Sequence, residues 1–277
     1  MWPLPLQRGG ILRLGVALCE GHGPRPRPDE VAIVDGLAGV TAAILAGGQG
    51  TRLRHRVSDR PKVLAEIRGR PFLAYLLDQV ADAGVSLVVL CTGYMGEQVY
   101  GTFGDTYRDL QLVYSQEPSP LGTGGSLRFA LPLFKSDTVL VMNGDSICEA
   151  DLRGYFSWHC SRGAQVTMLL AEAPDTERYG RVEVDAAGVV LTFVEKGGNP
   201  GPGLINAGMY LIDRRLLLTI PTNGAVSLER EVLPRWIGRG LYAYRSGGRF
   251  LDIGTPDAFA GAGQFFSGRT ETGRSAG

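Results

Sequence analysis

Cysteine and histidine are scarce in this chain, with four and three copies among its 277 residues. No two cysteines form a Cys-x-x-Cys pair, so the sequence predicts neither a disulfide framework nor a zinc site. Thiols without a disulfide pattern are typical of a reducing compartment, which predicts a cytoplasmic protein.

An excess of charge of one sign and long apolar runs are also missing. Lysine plus arginine and aspartate plus glutamate balance at 28 each. A chain without a basic field is a poor candidate for binding nucleic acid or an anionic membrane surface. No run of about eighteen apolar residues occurs, so the sequence offers no helix to span a membrane. We therefore expect neither nucleic acid nor a membrane as a partner.

The two ends of the chain differ in composition from the middle. Residues 1–40 are rich in proline and glycine, and residues 267–277 are mostly small and polar. Such segments bury too little apolar surface to hold a fixed structure. We predict a poorly ordered N-terminal extension over 1–40, a folded domain over 41–266 and a flexible tail over 267–277.

Apolar runs alternate with amphipathic stretches through the first half of the domain, while the second half is richer in strands. A strand–helix–strand order predicts a three-layer, Rossmann-like α/β fold, with a mainly parallel twisted sheet and helices on both faces. In such sheets, ligands bind beyond the carboxyl ends of the strands. The polar residues that follow Ala46, Ser115, Met142 and Glu195 are therefore expected to share one crevice.

Three glycines, Gly47, Gly48 and Gly50, follow the first predicted strand. Their main-chain N–H groups can approach phosphate oxygens with no Cβ in the way, and Arg52 and Lys62 can add positive charge. The spacing fits neither a P-loop nor a dinucleotide fingerprint. A plain tight turn would explain the glycines but not the two basic side chains.

This loop with the Pro61-Lys62 pair resembles the signature of the sugar nucleotidyltransferases, which join a nucleoside triphosphate to a sugar 1-phosphate and release pyrophosphate. The resemblance implies the nucleotide-diphospho-sugar transferase type of fold. It also implies two catalytic residues: Arg52, which binds the departing pyrophosphate, and Lys62, which contacts the reacting phosphates. The nucleotide contacts that it implies along the loop are Leu45, Ala46, Gly47, Gly48, Gly50 and Thr51.

Two aspartates, Asp145 and Asp252, each follow an apolar predicted strand and precede a turn. Carboxylates together with triphosphate oxygens form the usual setting for Mg²⁺. A single aspartate at such a place is more often a turn former or an N-cap. Two of them beside a phosphate loop favour a metal, and the family resemblance implies the same roles. We expect Mg²⁺ as the cofactor, held by both residues.

A loop at 115–125, rich in proline and glycine, follows the third predicted strand. Its glycines would let a flat base lie against the main chain. In the resembled family, the residue five positions before Gly122 reads the base edge, and here that residue is Glu117. A carboxylate only accepts, and guanine offers two adjacent donors, so Glu117 favours GTP. Gly122 and Thr123 are further predicted nucleotide contacts, and the alternative is that Glu117 faces solvent.

Three later segments resemble the family's sugar-binding positions. By this resemblance Gly180, Glu195 and Asn206 bind sugar hydroxyls, and Lys196 meets the sugar phosphate. Glu195 and Lys196 could equally be a surface ion pair of small energetic value. The stretch Ser227–Leu233 is predicted to be a solvated or interface helix without chemistry.

The string at 120–125 adds a resemblance to mannose- and heptose 1-phosphate guanylyltransferases, nearest to those acting on D-glycero-α-D-manno-heptose 1-phosphate. It implies transfer of a guanylyl group from GTP by an in-line displacement that depends on alignment and charge neutralisation rather than on a general base. The alternatives are mannose or glucose 1-phosphate as acceptor, with GTP, dTTP, UTP or ATP as donor. From another class, a non-catalytic sugar-nucleotide-binding subunit stays open, and a homodimer is one option for assembly.

Overall fold

A computed structural model of the chain describes residues 37–48, 50, 59–194 and 200–267. The strands in this part, in chain order, are β1 (Thr41–Leu45), β2 (Glu66–Ile67), β3 (Arg70–Pro71), β4 (Leu87–Thr92), β5 (Thr106–Tyr107), β6 (Leu110–Gln116), β7 (Thr138–Asn143), β8 (Ser146–Cys148), β9 (Val166–Ala173), β10 (Arg181–Val184), β11 (Val190–Val194), β12 (Gly203–Asp213), β13 (Leu241–Arg245) and β14 (Phe250–Asp252). The α-helices are α1 (Phe72–Asp82), α2 (Gly96–Phe103), α3 (Gly122–Ala130), α4 (Leu152–Ser161), α5 (Arg214–Leu217) and α6 (Pro256–Phe265). Among these described elements, no helix has the length and apolar character needed to cross a membrane.

One sheet of ten strands organises the domain. Four neighbours, β7, β1, β4 and β6, pair in parallel and form a parallel block. Beyond β7 the sheet continues through β12, which is antiparallel to both β7 and β9. The predicted α/β fold with a mainly parallel central sheet is confirmed, and an antiparallel extension flanks the block.

Both faces of the parallel block are covered, as the three-layer prediction requires. Along β1, Ala42 and Ile44 belong to one hydrophobic core, whereas Ala43 belongs to the other. Helix α1 packs into the first core, and α3 contributes Leu127 and Ala130 to the second. A strand buried on both faces reads as a continuous apolar run, which is the pattern of β1.

Two details of the sequence prediction are wrong. The predicted extension over 1–40 reaches too far, because Leu37 and Val40 are buried in the core; the rest of it lies outside the described residues. Helix α4 was not predicted, although its signals are present. The Asp151 side chain accepts from two N–H groups of the first turn, and Leu152 and Tyr155 lie on the buried face.

A small two-stranded sheet brings a distant segment to the end of the parallel block. Strand β8 begins just after β7, and β14 pairs antiparallel with it, so that Asp252 lies opposite Ser146. The N–H of Ile253 also donates to the carbonyl of Asp145, with 2.9 Å between nitrogen and oxygen. Segments about a hundred residues apart in sequence are thereby fixed as neighbours at the carboxyl end of β7.

Candidate active site

A cleft of about 370 Å³ lies beyond the carboxyl ends of β1, β6 and β7. This is the position at which open α/β sheets bind ligands. The predicted site residues that line it are Leu45, Gly47, Gly48, Gly50, Lys62, Glu117, Gly122, Thr123 and Asp145. Ala46 is buried in the core instead, with its N–H bonded to the carbonyl of Cys91. Thr51, Arg52, Glu195 and Lys196 lie outside the described residues, so their roles stay predictions.

The glycine loop and the predicted base-reading residue lie against each other. A Cβ on Gly47 would lie 3.1 Å from the Glu117 Oε1 atom, and one on Gly93 would lie 2.9 Å from it. The 2.9 Å distance is shorter than real Cβ contacts and the 3.1 Å distance is tight, so a side chain at either position would displace the Glu117 carboxylate. The sequence reading missed Gly93; its signal is a glycine directly after β4, at the same sheet edge as Gly47.

The carboxylate of Glu117 is held from the other side by the start of α3. Its Oε2 atom accepts from the Ser126 hydroxyl at 2.5 Å and from the Leu121 N–H at 3.3 Å. Burial, and secondarily the Glu117 charge, raises the pKa of the neighbouring Cys91 thiol to about 12. Cys91 is therefore protonated at neutral pH and unsuited to act as a nucleophile.

Lys62 and Asp145 form a charged pair at the floor of the cleft. The Lys62 Nζ atom lies 2.7 Å from Asp145 Oδ2, and the lysine side chain is only 10% exposed while the aspartate is 42% exposed. Lys62 opens a 3₁₀ turn over Lys62–Leu64, and Asp145 lies in the turn between β7 and β8. Because the Lys62 side chain is nearly buried and the Asp145 side chain is more exposed, the Asp145 carboxylate is the more accessible of the two from the cleft.

Asp252 reaches the same corner from β14. Its Oδ1 atom accepts from the Gly254 N–H at 2.5 Å. A Cβ on Gly254 would lie 2.6 Å from that oxygen and 3.2 Å from the Lys62 Nζ atom. The backbone at Gly254 is thus in contact with both side chains, and a side chain at this position would displace the Asp252 carboxylate. The structure places Lys62, Asp145 and Asp252 around one point.

The donor set at this corner fits Mg²⁺ that arrives with a triphosphate. Asp145 and Asp252 supply hard carboxylate oxygens, and Mg²⁺ is commonly bound by one or two carboxylates plus substrate phosphates and water. Within the described ranges, no group of three histidine, cysteine or acidic side chains could form an all-protein metal site. Two carboxylates without a third suit an ion shared with substrate better than a permanent structural metal.

The glycines after Leu121 also pack against a distant chain segment. Gly122 has φ +73°, and a Cβ there would lie 2.6 Å from the carbonyl oxygen of Val226. That carbonyl accepts from the N–H groups of Gly124 and Gly125, at 2.8 and 3.2 Å. A distant chain segment thus fills the space that a side chain at Gly122 would need, while Gly122 and Thr123 line the cleft, so their contact with a nucleotide stays a prediction.

The Thr123 hydroxyl points toward the same distant segment. Its Oγ1 atom donates to Glu229 Oε2 at 2.7 Å and accepts from the Leu228 N–H at 2.8 Å. Glu229 is buried, at 9% exposure. Of the two alternatives predicted for Ser227–Leu233, a solvated or an interface helix, the solvated one is wrong at Glu229: the segment is a π-helical turn, Leu228–Val232, that packs on α3.

The predicted sugar-binding residues Gly180 and Asn206 lie next to each other. The Asn206 N–H donates to the Gly180 carbonyl at 2.9 Å. The pairing of β12 with β9 shifts register between Asn206 and Tyr210, a bulge of the kind that re-aims side chains near active sites. Within this bulge, a Cβ on Gly208 would lie 2.7 Å from the Asn143 Nδ2 atom, so the bulge contacts the end of β7.

Comparison with known proteins gives a consistent family. Residues 41–268 match the nucleotidyl transferase family. A mannose-1-phosphate guanylyltransferase of Mycobacterium tuberculosis is 38% identical over 224 residues, covering 79% of this chain and 62% of the relative. A D-glycero-alpha-D-manno-heptose 1-phosphate guanylyltransferase of Aneurinibacillus thermoaerophilus is 36% identical over 219 residues, covering 79% of this chain and 94% of the relative. The chain thus spans less than two thirds of the mannose relative but nearly all of the heptose relative.

Solved structures agree with the sequence relatives. The crystal structure of HddC from Yersinia pseudotuberculosis has a TM-score of 0.73 and 30% identity, covering 82% of this chain and 99% of that one. A second structure of HddC, complexed with GMP-PN, has the same TM-score and 31% identity, with the same coverage. The resemblance read from the glycine loop and the two aspartates is confirmed, and the chain belongs to the nucleotidyl transferase family.

Proposed function

We propose that this chain transfers a guanylyl group from GTP to a sugar 1-phosphate and releases pyrophosphate, with D-glycero-α-D-manno-heptose 1-phosphate as the acceptor. The observation that carries the proposal is the meeting of Lys62, Asp145 and Asp252 at Gly254, beside the glycine loop. Phosphoryl transfer requires a bound cation and positive side-chain charge near the phosphates. The two carboxylates could hold the cation, and the lysine supplies the charge. The proposed compartment is the cytoplasm, as the cysteine spacing predicted.

The reaction needs alignment and charge neutralisation rather than proton transfer. An oxygen of the sugar phosphate forms a bond to the α-phosphorus of GTP, and the bond from that phosphorus to the α–β bridging oxygen breaks. The electron pair leaves with pyrophosphate, and because the nucleophile is already anionic, no general base is required. Preorganised donors at the site of developing charge supply the main stabilisation.

Each charged residue at the corner has a separate task in this proposal. Asp145 and Asp252 would hold Mg²⁺, which when bound supplies a positive charge at the α-phosphate. The Lys62 ammonium, 2.7 Å from Asp145, is placed to contact the transferred and the incoming phosphates. The N–H groups of Gly47 and Gly48 would cradle the triphosphate, and Arg52 would steady the leaving group. The roles of Lys62, Asp145, Gly47 and Gly48 are supported by their charge or their position in the cleft, whereas the role of Arg52 rests on the family resemblance.

The base assignment depends on Glu117. Its Oε2 atom is held by Ser126, while its Oε1 atom lies between the backbones at Gly47 and Gly93. A carboxylate fixed in this way presents acceptors only, which suit the adjacent N1–H and 2-amino donors of guanine. Thymine and uracil place one donor between two acceptors and would be matched less well.

The acceptor assignment depends on the predicted sugar-binding residues and on the similarity to known enzymes. Gly180 and Asn206 lie together at the bulge of β12, and Glu195 and Lys196 complete the predicted set. The string at 120–125, which resembles that of the heptose enzymes, and the 36% identity to the heptose relative over 219 residues support the heptose phosphate. Mannose 1-phosphate is the second candidate, because the mannose relative is 38% identical over 224 residues.

The test is a substrate panel with the purified full chain and Mg²⁺. Five nucleoside triphosphates are each paired with heptose, mannose and glucose 1-phosphate, and products are identified by mass. We expect the largest kcat/KM for GTP with the heptose phosphate. A clear preference for dTTP or UTP would overturn the base assignment, and a preference for mannose 1-phosphate would overturn the acceptor. No nucleotide sugar from any pair would favour a non-catalytic binding subunit.

A further inference from the structure

A buried carboxylate joins the two sides of the cleft without lining it. Glu229, at 9% exposure, accepts through Oε2 from Thr123 at 2.7 Å and from the Ser227 hydroxyl at 3.2 Å. Its Oε1 atom accepts from the Tyr210 hydroxyl at 3.5 Å. Thr123 lies in the first turn of α3, next to the loop that carries Glu117, whereas Tyr210 lies in β12. Glu229 therefore contacts both the proposed nucleotide side and the strand of the proposed sugar side.

The contact continues from Tyr210 to the proposed sugar ligand. The Asn206 Nδ2 atom donates to the Tyr210 hydroxyl at 2.7 Å. The Asn206 Oδ1 atom accepts from the Gly208 N–H at 3.0 Å, which fixes the orientation of the amide. Four side chains, Thr123, Glu229, Tyr210 and Asn206, thus form one line of hydrogen bonds from α3 to the bulge of β12.

The direction of every hydrogen bond in this line follows from the carboxylate. A carboxylate has no proton to donate, so Thr123 and Tyr210 must donate to it. With its proton directed at Glu229, the Tyr210 oxygen is left to accept from Asn206, and the Asn206 amide can offer its second N–H hydrogen elsewhere. Hydrogen bonds in such a buried line polarise one another. A change at Glu229 therefore alters the hydrogen bond that Asn206 makes with Tyr210.

We propose that Glu229 is a positioning residue. Through Tyr210 it fixes the position of Asn206, on the sugar side, relative to the first turn of α3, on the nucleotide side. The inference rests on the proposed function, because it assigns Asn206 to the hydroxyls of the acceptor sugar. Glu229 touches no substrate in this scheme. Its effect comes from geometry: Asn206 binds the sugar best when its amide is already held in the binding orientation, and loosening it weakens binding.

The substitution Glu229→Gln changes the direction of one hydrogen bond and little else. The amide oxygen can still accept from Thr123 and Ser227, but the amide nitrogen now faces Tyr210 and donates. Tyr210 thereby loses Glu229 as an acceptor, and the hold on Asn206 weakens. We expect the KM for the sugar 1-phosphate to rise roughly three- to tenfold, as for loss of one hydrogen bond, with the KM for GTP within about twofold of wild type.

The experiment compares wild type, Glu229→Gln, Tyr210→Phe and the double variant, with Glu231→Gln as the matched control. Glu231 lies in the same π-helical turn, is exposed, and accepts from the Ser227 N–H, which a glutamine can also do. We expect Glu229→Gln and Tyr210→Phe each to raise the KM for the sugar 1-phosphate. The double variant should have a KM no higher than that of either single variant, since both substitutions act through Asn206. Glu231→Gln should match wild type in all constants.

Calorimetric binding of the sugar 1-phosphate and of GTP is measured for each variant alongside turnover. Wild-type turnover tests the proposed function alone, whereas the ratio of variant to wild-type binding tests the positioning role even for a wild type that binds without turning over. Equal weakening of both substrates, additive effects in the double variant, or sugar binding unchanged from wild type would each overturn the inference. So would a wild type that binds neither substrate, and that result would remove the proposed function as well.

Discussion

The proposed nucleotide side and the proposed sugar side of the site are built on different kinds of sheet. The nucleotide side uses the carboxyl ends of β1, β6 and β7, which belong to the parallel block. The sugar side uses β10 and β12, which pair antiparallel, and the register of β12 against β9 shifts beside Asn206. Parallel strands bring their ends together by a general rule, whereas a bulge depends on local tertiary contacts. The first side can therefore be read from the sequence pattern more completely than the second.

The largest expected effect tests the nucleotide side. Replacing Asp145 with asparagine removes the charge that faces Lys62 at 2.7 Å and one of two proposed metal-holding carboxylates. We expect turnover, measured as pyrophosphate release, to fall by about 10²–10³-fold, as for loss of a preorganised charge at the reacting phosphate.

Asp137→Asn is the matched control for this substitution, because Asp137 is an exposed aspartate just before β7, the strand that Asp145 follows. It should leave turnover near the wild-type rate. If Asp145→Asn kept more than a tenth of wild-type turnover at saturating substrates, the metal-centred account of this side would be wrong.

A smaller effect is expected when the base is read by an amide instead of a carboxylate. Glu117→Gln keeps a group that Ser126 can contact, but replaces one acceptor beside Gly47 with a donor. We expect the ratio of kcat/KM for GTP to that for UTP to fall by roughly ten- to hundredfold, the value of a hydrogen bond to a charged group. Glu172→Gln, at an exposed position of β9, is the control. An unchanged ratio would show that Glu117 does not read the base.

The residues show why the sequence reading succeeded on one side and failed elsewhere. Gly47 and Asp145 each carry a local signal, a glycine loop and an acidic turn after an apolar run, and Lys62 belongs to the Pro61-Lys62 pair of the family resemblance. All three line one cleft. The role of Gly122 had no such signal, because it depends on the approach of Val226 from about a hundred residues away.

The same reason explains the error at Glu229. Within its own segment, an acidic residue among Arg230 and Glu231 has the pattern of a solvated helix. Only the contacts with Thr123 and Tyr210, which are distant in sequence, bury it. Helix α4 is a different case, since the N-cap at Asp151 and the apolar spacing after it were readable.

A pH-dependent effect on the free energy of unfolding is expected from His159, which packs against the antiparallel part of the sheet. His159 on α4 is 3% exposed, with Nδ1 2.7 Å from the Thr167 hydroxyl oxygen in β9. Burial lowers the pKa of His159 from 6.5 to about 4, although Asp213 opposes the shift. A lowered histidine pKa means that the unfolded chain binds the proton first, so its stabilising effect is present above pH 6.5 and is lost as the pH falls toward 4.

We therefore expect the free energy of unfolding to decrease by about 1.4 kcal/mol per pH unit between about pH 6 and 4.5, on account of this one group. Urea unfolding across this range measures the slope, and His159→Gln should reduce it. Asp213 does not interfere, because the hydrogen bonds from Arg215 hold its pKa below the usual 3.8 although burial opposes them. An equal slope in wild type and variant would contradict the assignment.

The smallest expected effect tests whether the two sides act separately. Asn206→Ala removes the amide at the β12 bulge and should raise the KM for the sugar 1-phosphate about three- to tenfold, the value of one neutral hydrogen bond, while the GTP-to-UTP ratio stays unchanged. Asn223→Ala, at an exposed position, is the control. Combined with Glu117→Gln, the two effects should add, because the base and the sugar contact different strands. A non-additive double variant would mean that base and sugar recognition are themselves coupled, and that the comparison between an independent parallel side and an antiparallel side is too simple.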